Sequence, residues 1–228
     1  MQKKIIITLD GWSSCGKSTL AKQLAKELGY AFVDSGSMYR AITLYFLRHQ
    51  VDITNADAIQ QALGHIKLNF IFNESRGASD VYLNGENVEP LIRSLDVASK
   101  VSEVAAIKSV RQFAVLQQKK MGEHKGIVMD GRDIGTVVFP EAALKIFMTA
   151  DNKVRAERRY KELVIKNPAI TMEEVQKNLE ERDYVDSHRE ESPLKKADDA
   201  LVLDNTNLNP EQQFQLALSW AREAIEKA

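Results

Sequence analysis

The stretch Ile5-Ile6-Ile7-Thr8-Leu9-Asp10-Gly11-Trp12-Ser13-Ser14-Cys15-Gly16-Lys17-Ser18-Thr19 decides the fold. Its second part, residues 11–19, matches the pattern G-x-x-x-x-G-K-[ST] in full. The apolar run 5–9 predicts a buried strand, and the leucines that recur every four residues over 20–28 predict an amphipathic helix. Because a loop between such a strand and helix binds phosphate groups, the sequence predicts a nucleotide-dependent phosphotransferase.

The residue types in this loop suit phosphate chemistry. Glycines let the backbone wrap closely enough for N–H groups to point at phosphate oxygens, and the start of the helix adds partial positive charge. Lys17 is expected to reach the β- and γ-phosphates of ATP, the Ser18 hydroxyl to bind Mg²⁺, and Cys15 to fill space rather than act as a nucleophile. The predicted ATP-binding residues are Gly11, Trp12, Ser13, Ser14, Cys15, Gly16, Lys17, Ser18 and Thr19.

Composition narrows the class of protein. The 228 residues are 44% hydrophobic and 28% charged, with a formal net charge of -1. This balance is typical of an ordinary soluble globular protein and argues against nucleic-acid binding as the main task. The apolar run 5–9 is too short for a signal peptide, and no apolar stretch approaches the ~18 residues that span a bilayer. We therefore expect a cytoplasmic monomer that engages neither nucleic acid nor membrane.

Four further apolar segments, 31–33, 127–129, 144–148 and 201–203, are mostly continuous rather than alternating. Such segments are typical of parallel strands covered on both faces, and helical patterns separate them. Asn209-Pro210-Glu211-Gln212 has the residues of a helix start. The pattern predicts an α/β core with right-handed crossovers.

Two intervals depart from this rhythm. Between about 66 and 90, Asn84-Gly85 lies between strand-like residues, which predicts a hairpin in a small antiparallel insert. Between about 151 and 195 the chain is dense in charge, and Thr171-Met172-Glu173-Glu174 forms a capping box that opens a helix. This second interval fits either a mobile flap over a site or a solvated helical hairpin.

Other motifs separate classes of nucleotide enzyme. The chain has neither the N-K-x-D nor the D-x-x-G motif that a GTPase switch requires. Asp130 follows the segment 127–129 and fits either a metal-holding carboxylate or a turn former. Arginines are frequent away from the phosphate loop, and a guanidinium suits transfer between two polyphosphates because it binds phosphate bidentately and stays charged. They are Arg40, Arg111, Arg132, Arg158, Arg159, Arg182 and Arg189.

Three strings carry a family resemblance over essentially the whole chain. They are Asp34-Ser35-Gly36-Ser37-Met38-Tyr39-Arg40, Asp130-Gly131-Arg132-Asp133-Ile134-Gly135-Thr136 and Glu181-Arg182-Asp183. Together they resemble bacterial-type cytidylate kinases, P-loop nucleoside monophosphate kinases. Members usually read Gly-Pro-Ser/Ala-Gly in the phosphate loop and Ala at position 37, whereas this chain has Trp12, Ser13, Ser14 and Ser37.

The resemblance implies an α/β fold: a P-loop NTPase core with a five-stranded parallel sheet, an NMP-binding insert containing a small antiparallel sheet, and a helical lid. We expect the core to comprise residues 1–35, 106–150 and 196–228, the insert 36–105 and the lid 151–195. The implied reaction is transfer of the ATP γ-phosphoryl group to CMP or dCMP with Mg²⁺.

The resemblance also implies roles for single residues. Ser35, Arg40, Arg132 and Arg189 would hold the acceptor phosphate; Ser102, Arg111 and Asp133 would read cytosine; and Arg182 and Asp186 would reach the ribose. The implied catalytic residues are Lys17, Arg132, Arg158, Arg159 and Arg189, of which Arg158 and Arg159 would close over the transferred group. Ser102 and Arg111 are nine positions apart, so a single straight helix face does not hold both and a bend or a long side chain must reconcile them.

Two alternatives stay open at this point. One is a kinase of another small acceptor, such as UMP or shikimate. The other is a nucleotide-sensing protein that binds without transfer, which the arginine-rich interval 151–195 disfavours. ADP release measured with each acceptor separates a CMP or dCMP kinase, a kinase of another acceptor, and a sensor.

Overall fold

The computed structural model of the protein describes residues 3–165 and 167–228. The strands in these residues are β1 (Ile6–Gly11), β2 (Ala31–Asp34), β3 (Leu68–Asn73), β4 (Ala78–Leu83), β5 (Glu86–Asn87), β6 (Ile127–Gly131), β7 (Leu144–Thr149) and β8 (Leu201–Asp204). The helices are α1 (Lys17–Leu28), α2 (Ser35–Arg48), α3 (Ala56–Gly64), α4 (Leu95–Ala106), α5 (Lys108–Met121), α6 (Asn152–Val164), α7 (Met172–His188) and α8 (Pro210–Lys227). A 3₁₀ turn covers Leu91–Arg93, and a π-helical turn covers Ile134–Val138.

The central sheet has five parallel strands in the order β2-β6-β1-β7-β8. In its middle strand, Ile7 pairs with Val128 of β6 and Leu144 of β7. Ile7 and Leu9 are fully buried, as expected for a strand covered on both faces. The five predicted strands and the predicted α/β fold with a five-stranded parallel sheet are confirmed.

The carboxyl ends of these strands meet at one edge of the sheet, where the backbone runs close together. Gly11 ends β1 with a φ of +145°, and a Cβ there would lie 2.0 Å from the Met148 carbonyl oxygen of β7. Only glycine fits such an approach. α1 follows and packs the buried residues Leu20, Ala21 and Leu24 onto the sheet. The phosphate loop is therefore held between a fixed strand end and a packed helix.

A three-stranded antiparallel sheet, in the order β3-β4-β5, confirms the predicted small insert. Leu83 pairs with Glu86, so Asn84 and Gly85 form a two-residue turn with φ values of +51° and +89°. Positive φ at both positions is what this hairpin geometry requires, and Asn-Gly tolerates it. The buried face of β4 packs on α2, α3, α4 and α5 in a second hydrophobic core.

α6 and α7 form the charged helical pair predicted for 151–195. The capping box at Thr171 and Glu174 is present, as is that of Asn209 and Gln212 at the start of α8. Only Val175 and Leu179 of α7 are buried. Few apolar contacts hold this pair to the rest of the chain, which suits a segment that moves. In the described part of the chain, no helix has the length and apolar character needed to cross a bilayer.

Candidate active site

A cleft of about 370 Å³ lies at the carboxyl edge of the central sheet, between the phosphate loop, α2, α4, α5 and the α6–α7 pair. Parallel sheets bind ligands at this edge. The structure brings most of the predicted site residues to the cleft wall: Ser13, Ser14, Gly16, Lys17, Ser18, Thr19, Ser35, Arg40, Ser102, Arg111, Arg132, Asp133, Arg159, Arg182, Asp186 and Arg189. Gly11, Trp12, Cys15 and Arg158 are not part of that wall.

The phosphate loop turns sharply before α1. Ser14 and Gly16 have positive φ values of +59° and +87°, and α1 begins at Lys17 without a side-chain cap. Its first N–H groups are therefore available to an anion. Nζ of Lys17 donates to the Trp12 carbonyl at 2.6 Å. Burial, followed by the nearby Arg132 charge, lowers the pKa of Lys17.

Asp130 at the end of β6 faces the start of α1. The Ser18 hydroxyl donates to its Oδ2 at 2.6 Å, while Oδ1 is buried without a hydrogen-bond partner. Burial, followed by the charge of Asp34, raises the pKa of Asp130 to about 7. No group of three or more acidic, His or Cys ligands occurs in the described residues. An orphaned carboxylate oxygen beside a hydroxyl suits a magnesium ion whose other ligands are phosphate and water.

Next to the phosphate loop lies a group of arginines with too few counter-ions. Arg40 and Arg182 donate to no acceptor among the described residues, although both line the cleft. Burial, followed by the charges of Arg132 and Arg40, lowers the pKa of Arg182 to about 10. Burial lowers the pKa of Arg40 as well. A site that concentrates unpaired guanidinium groups is arranged for a phosphate group.

Arg132 links this cationic group to both ends of the cleft. Its Nε donates to Asp186 at 2.7 Å, and its Nη2 donates to the Ser13 hydroxyl of the phosphate loop at 2.9 Å. The carboxylate of Asp186 also lies 3.6 Å from Arg189. Arg132 therefore connects the phosphate loop to the part of the cleft that holds Asp186 and Arg189.

Arg111 and Asp133, which also line the cleft, form a buried ion pair. Nη1 of Arg111 donates to the Ala105 carbonyl at 3.0 Å, and its guanidinium lies 5.3 Å from the centre of the Tyr39 ring. Ser102 reaches the same cleft because the helical stretch breaks at Ile107, which is extended between α4 and α5. The break provides the bend that the nine-residue spacing requires.

Asp10 supports the site from behind the cleft wall and was not predicted from the sequence. Its buried carboxylate accepts the N–H groups of Ile134 at 2.8 Å and Gly135 at 2.7 Å, directly after Asp133. Burial outweighs these hydrogen bonds and raises the pKa of Asp10 to about 6. One carboxylate thus ties the strand before the phosphate loop to the turn that carries Asp133. An aspartate in an apolar strand was the available signal.

Neighbouring arginines of α6 differ in their placement. Arg159 lines the cleft, whereas Arg158 donates to the side chain and the carbonyl of Asn205, at 2.9 and 3.0 Å. Arg155 and Asp183, which the sequence analysis did not single out as site residues, contact the phosphate loop instead. Asp34, Tyr39, Arg93 and Glu162 also line the cleft and were not among the predicted site residues.

Comparisons with known proteins give the family. The family model for cytidylate kinase matches residues 7–223. A cytidylate kinase of Bacteroides thetaiotaomicron is 54% identical over 214 residues, covering 92% of this chain and 93% of the relative. A cytidylate kinase of Flavobacterium psychrophilum is 55% identical over 219 residues, covering 95% and 97%. A solved structure from Chloroflexus aurantiacus, 16% identical over 100% of this chain and 98% of its own, has a TM-score of 0.50 and supports the fold alone.

Proposed function

Because the chain belongs to the cytidylate kinase family, we propose that it transfers the γ-phosphoryl group of ATP to CMP or dCMP, giving ADP and CDP or dCDP. In this proposal residues 36–105 form the NMP-binding insert, residues 151–195 form a lid that closes over the cleft, and residues 1–35, 106–150 and 196–228 form the core that carries the phosphate loop.

The observation that carries the proposal is the set of charged groups that line one cleft. They are the phosphate loop with Lys17, the guanidinium groups of Arg40 and Arg182, which have no acceptor among the described residues, and the Arg111–Asp133 pair. A donor triphosphate, an acceptor phosphate with its ribose, and a base would meet these three groups respectively. A sensor of one nucleotide has no need for the second cationic group.

The triphosphate of the donor would be held by backbone N–H groups of the phosphate loop and by Lys17. The N-terminus of α1 would add partial positive charge. Ser18 and Asp130 would hold Mg²⁺, since one hydroxyl and one orphaned carboxylate oxygen lie side by side there. When bound, Mg²⁺ would neutralise charge on the phosphate oxygens. Lys17 and Arg159 would stabilise the charge that develops on the transferred group.

The acceptor phosphate would be held by Ser35, Arg40, Arg132 and Arg189. It is ionised near neutral pH, so transfer needs no general base, and catalysis rests on positioning and charge stabilisation. Asp133 can accept from the cytosine amino group, while Arg111 and Ser102 can donate to ring N3 and O2. Arg182 and Asp186 would contact the ribose.

The test is formation of ADP from ATP with CMP, dCMP, UMP, AMP and shikimate as separate acceptors. We expect CMP and dCMP to give the highest kcat/KM, with little ADP formed in the absence of an acceptor. Highest activity with UMP or shikimate would replace the proposed acceptor. Tight ATP binding with no acceptor-dependent ADP would instead indicate a sensor.

A further inference from the structure

The backbone of Ser13 in the phosphate loop forms hydrogen bonds with side chains of both α6 and α7. Its N–H donates to Oδ1 of Asp183 on α7 at 3.2 Å. Its carbonyl oxygen accepts from Nη1 of Arg155 on α6 at 3.1 Å. Both backbone groups of one loop residue are therefore bound by side chains more than 140 positions away in sequence.

The buried side chain of Arg155 is held by an ion pair and several hydrogen bonds. Its side chain is 4% exposed and ion-pairs with Asp183. It also donates to the Ala150 carbonyl at 3.2 Å and to the Asn152 side chain. Its guanidinium lies 5.9 Å from the centre of the Trp12 ring. Burying an ion pair this deeply costs desolvation energy that the attraction barely offsets, so stability alone is a poor reason for the arrangement.

The residue before Ser13 accepts a hydrogen bond from Lys17. The carbonyl that accepts from Nζ of Lys17 belongs to Trp12, the residue before Ser13. A second connection runs from Arg158 to Asn205, whose side-chain amide donates to the Cys15 carbonyl at 2.8 Å. The conformation of the loop on both sides of Ser14 is thus linked to α6 and α7.

We propose that Arg155 and Asp183 are positioning residues that lock the Trp12–Ser13 segment of the phosphate loop to the lid. The inference rests on the proposed kinase function and adds two residues to it. Lid closure and the correct placement of Lys17 are then a single event. ATP that binds while the lid is open meets a loop that is not yet set for transfer, which limits its loss to hydrolysis.

The primary variant is Asp183→Ala, compared with Asp183→Asn. The first removes the contact with Ser13 and the partner of Arg155, and the second retains an oxygen that can accept from Ser13. The matched control is Glu180→Gln on the same helix, where the exposed carboxylate contacts only Gln176 among the described residues. We expect Asp183→Ala to lower kcat/KM for ATP by roughly 100-fold, as loss of alignment does. Asp183→Asn should fall between it and the wild type, and the control should match the wild type.

CMP binding distinguishes positioning from general damage to the lid. The Kd for CMP, titrated without ATP, should change by less than about tenfold in Asp183→Ala, because Arg132, which donates to the Ser13 hydroxyl, keeps its ion pair with Asp186. Wild-type kcat/KM for ATP in that variant, or a parallel loss of CMP affinity, would overturn the proposal. If Asp183→Ala does not fold, the same comparison is made with Asp183→Asn.

Tryptophan emission provides a readout that does not depend on turnover. The chain has two tryptophans, so in a Trp220→Phe background Trp12 is the sole reporter, and it lies beside Arg155. Adding Mg²⁺ and a non-hydrolysable ATP analogue should shift Trp12 emission in this background, and adding Asp183→Ala should abolish the shift. The same emission shift with and without Asp183→Ala in the Trp220→Phe background would contradict the proposal. If the wild-type chain forms no ADP with CMP, the proposed function fails. The emission test still shows whether Asp183 couples the Trp12–Ser13 segment to nucleotide binding.

Discussion

Arg111 and Asp133 form an ion pair in the wall of the cleft, with Nη2 of the arginine 2.5 Å from the carboxylate and neither side chain more than 5% exposed. Arg189 lies 3.7 Å from the same carboxylate. Two guanidinium groups around one carboxylate fix the direction of the Asp133 side chain. A fixed, desolvated carboxylate discriminates strongly between an amino group and a carbonyl on a base.

The first prediction concerns acceptor choice at this pair. Asp133→Asn keeps the shape of the side chain but adds an amide that can donate to the O4 carbonyl of UMP. We expect KM for CMP to rise by about 100-fold and the ratio of kcat/KM for CMP over UMP to fall by at least about tenfold, while KM for ATP changes by less than about threefold. Steady-state kinetics with both acceptors give these values. An equal loss for CMP and ATP would show that Asp133 does not read the base.

The second prediction concerns Lys17. Lys17→Ala should lower kcat by about 1,000-fold or more because a preorganised cation at the transferred group is lost. The fold should be intact, since burial already lowers the pKa of Lys17 and its removal relieves a desolvated charge. The matched control is Lys22→Ala on the same helix, whose ammonium lies over the Phe32 ring rather than in the cleft.

Turnover and Tm are measured for both lysine variants. Near-normal turnover in Lys17→Ala would remove the phosphate loop from the proposed mechanism. A large fall in Tm would mean that the loss of activity reflects unfolding. A loss of turnover in Lys22→Ala would show that the effect is not specific to the loop.

The strands, the loop and the two capping boxes were predictable because their signals are local. The run 5–9 and the loop at 11–19 are contiguous, and the hairpin needs only Asn84-Gly85 between strand-like residues. Neighbours in sequence decide these features, so composition and spacing suffice.

The contacts between distant segments were not predictable in the same way. Adjacent residues on a helix point about 100° apart, so sequence could not decide that Arg159 rather than Arg158 faces the cleft. Arg155 and Asp183 meet Ser13 only because α6 and α7 fold back over the loop. The role of Asp10 depends on a turn that lies more than 120 residues away. Each of these requires the tertiary arrangement.

The third prediction separates backbone strain from steric exclusion at two glycines. A Cβ on Gly11 would lie 2.0 Å from the Met148 carbonyl, whereas one on Gly29, with φ +65°, would meet nothing within 4 Å. Gly29→Ala should cost about 1 kcal/mol, the price of a left-handed residue. Gly11→Ala should cost well over ~3 kcal/mol, because backbone rather than a side chain must move. Urea unfolding compares the two, and similar costs would contradict the close approach.

The fourth prediction concerns the unpaired arginines. Arg182→Met keeps an unbranched apolar side chain like the aliphatic part of arginine but removes a cation that has no acceptor among the described residues. We expect Tm without ligand to rise, because burial and neighbouring Arg132 lower the pKa of Arg182 and so disfavour its charge. KM for CMP should rise by roughly 10- to 100-fold, the effect of one lost charge-assisted contact. Inorganic phosphate lacks the ribose that Arg182 is proposed to contact, so it should raise the Tm of the wild type and of the variant by similar amounts; a much larger rise in the wild type would place Arg182 on the phosphate instead.

The fifth prediction concerns pH and Asp130. Burial raises the pKa of this carboxyl to about 7, from 3.8 in an exposed aspartate. Between these values the folded state holds a proton that the unfolded state has released. The contribution of Asp130 to stability therefore falls as pH rises through this window, and the full penalty is present above about pH 7. Asp130→Asn is isosteric and cannot ionise, so it escapes this penalty.

We therefore expect the Tm difference, Asp130→Asn minus wild type, to grow from pH 5 to pH 8 in metal-free buffer. Asp10, with a pKa of about 6, titrates in both proteins, so the difference isolates Asp130. With Mg²⁺ and ADP at pH 8, the wild type should instead have the higher Tm of the two proteins. The ionised carboxylate beside Ser18 then gains a cation, while the asparagine does not. Thermal unfolding at four pH values, with and without Mg²⁺ and ADP, measures both effects. A Tm difference that stays flat with pH, or equal stabilisation of both proteins by Mg²⁺ and ADP, would remove Asp130 from the metal site.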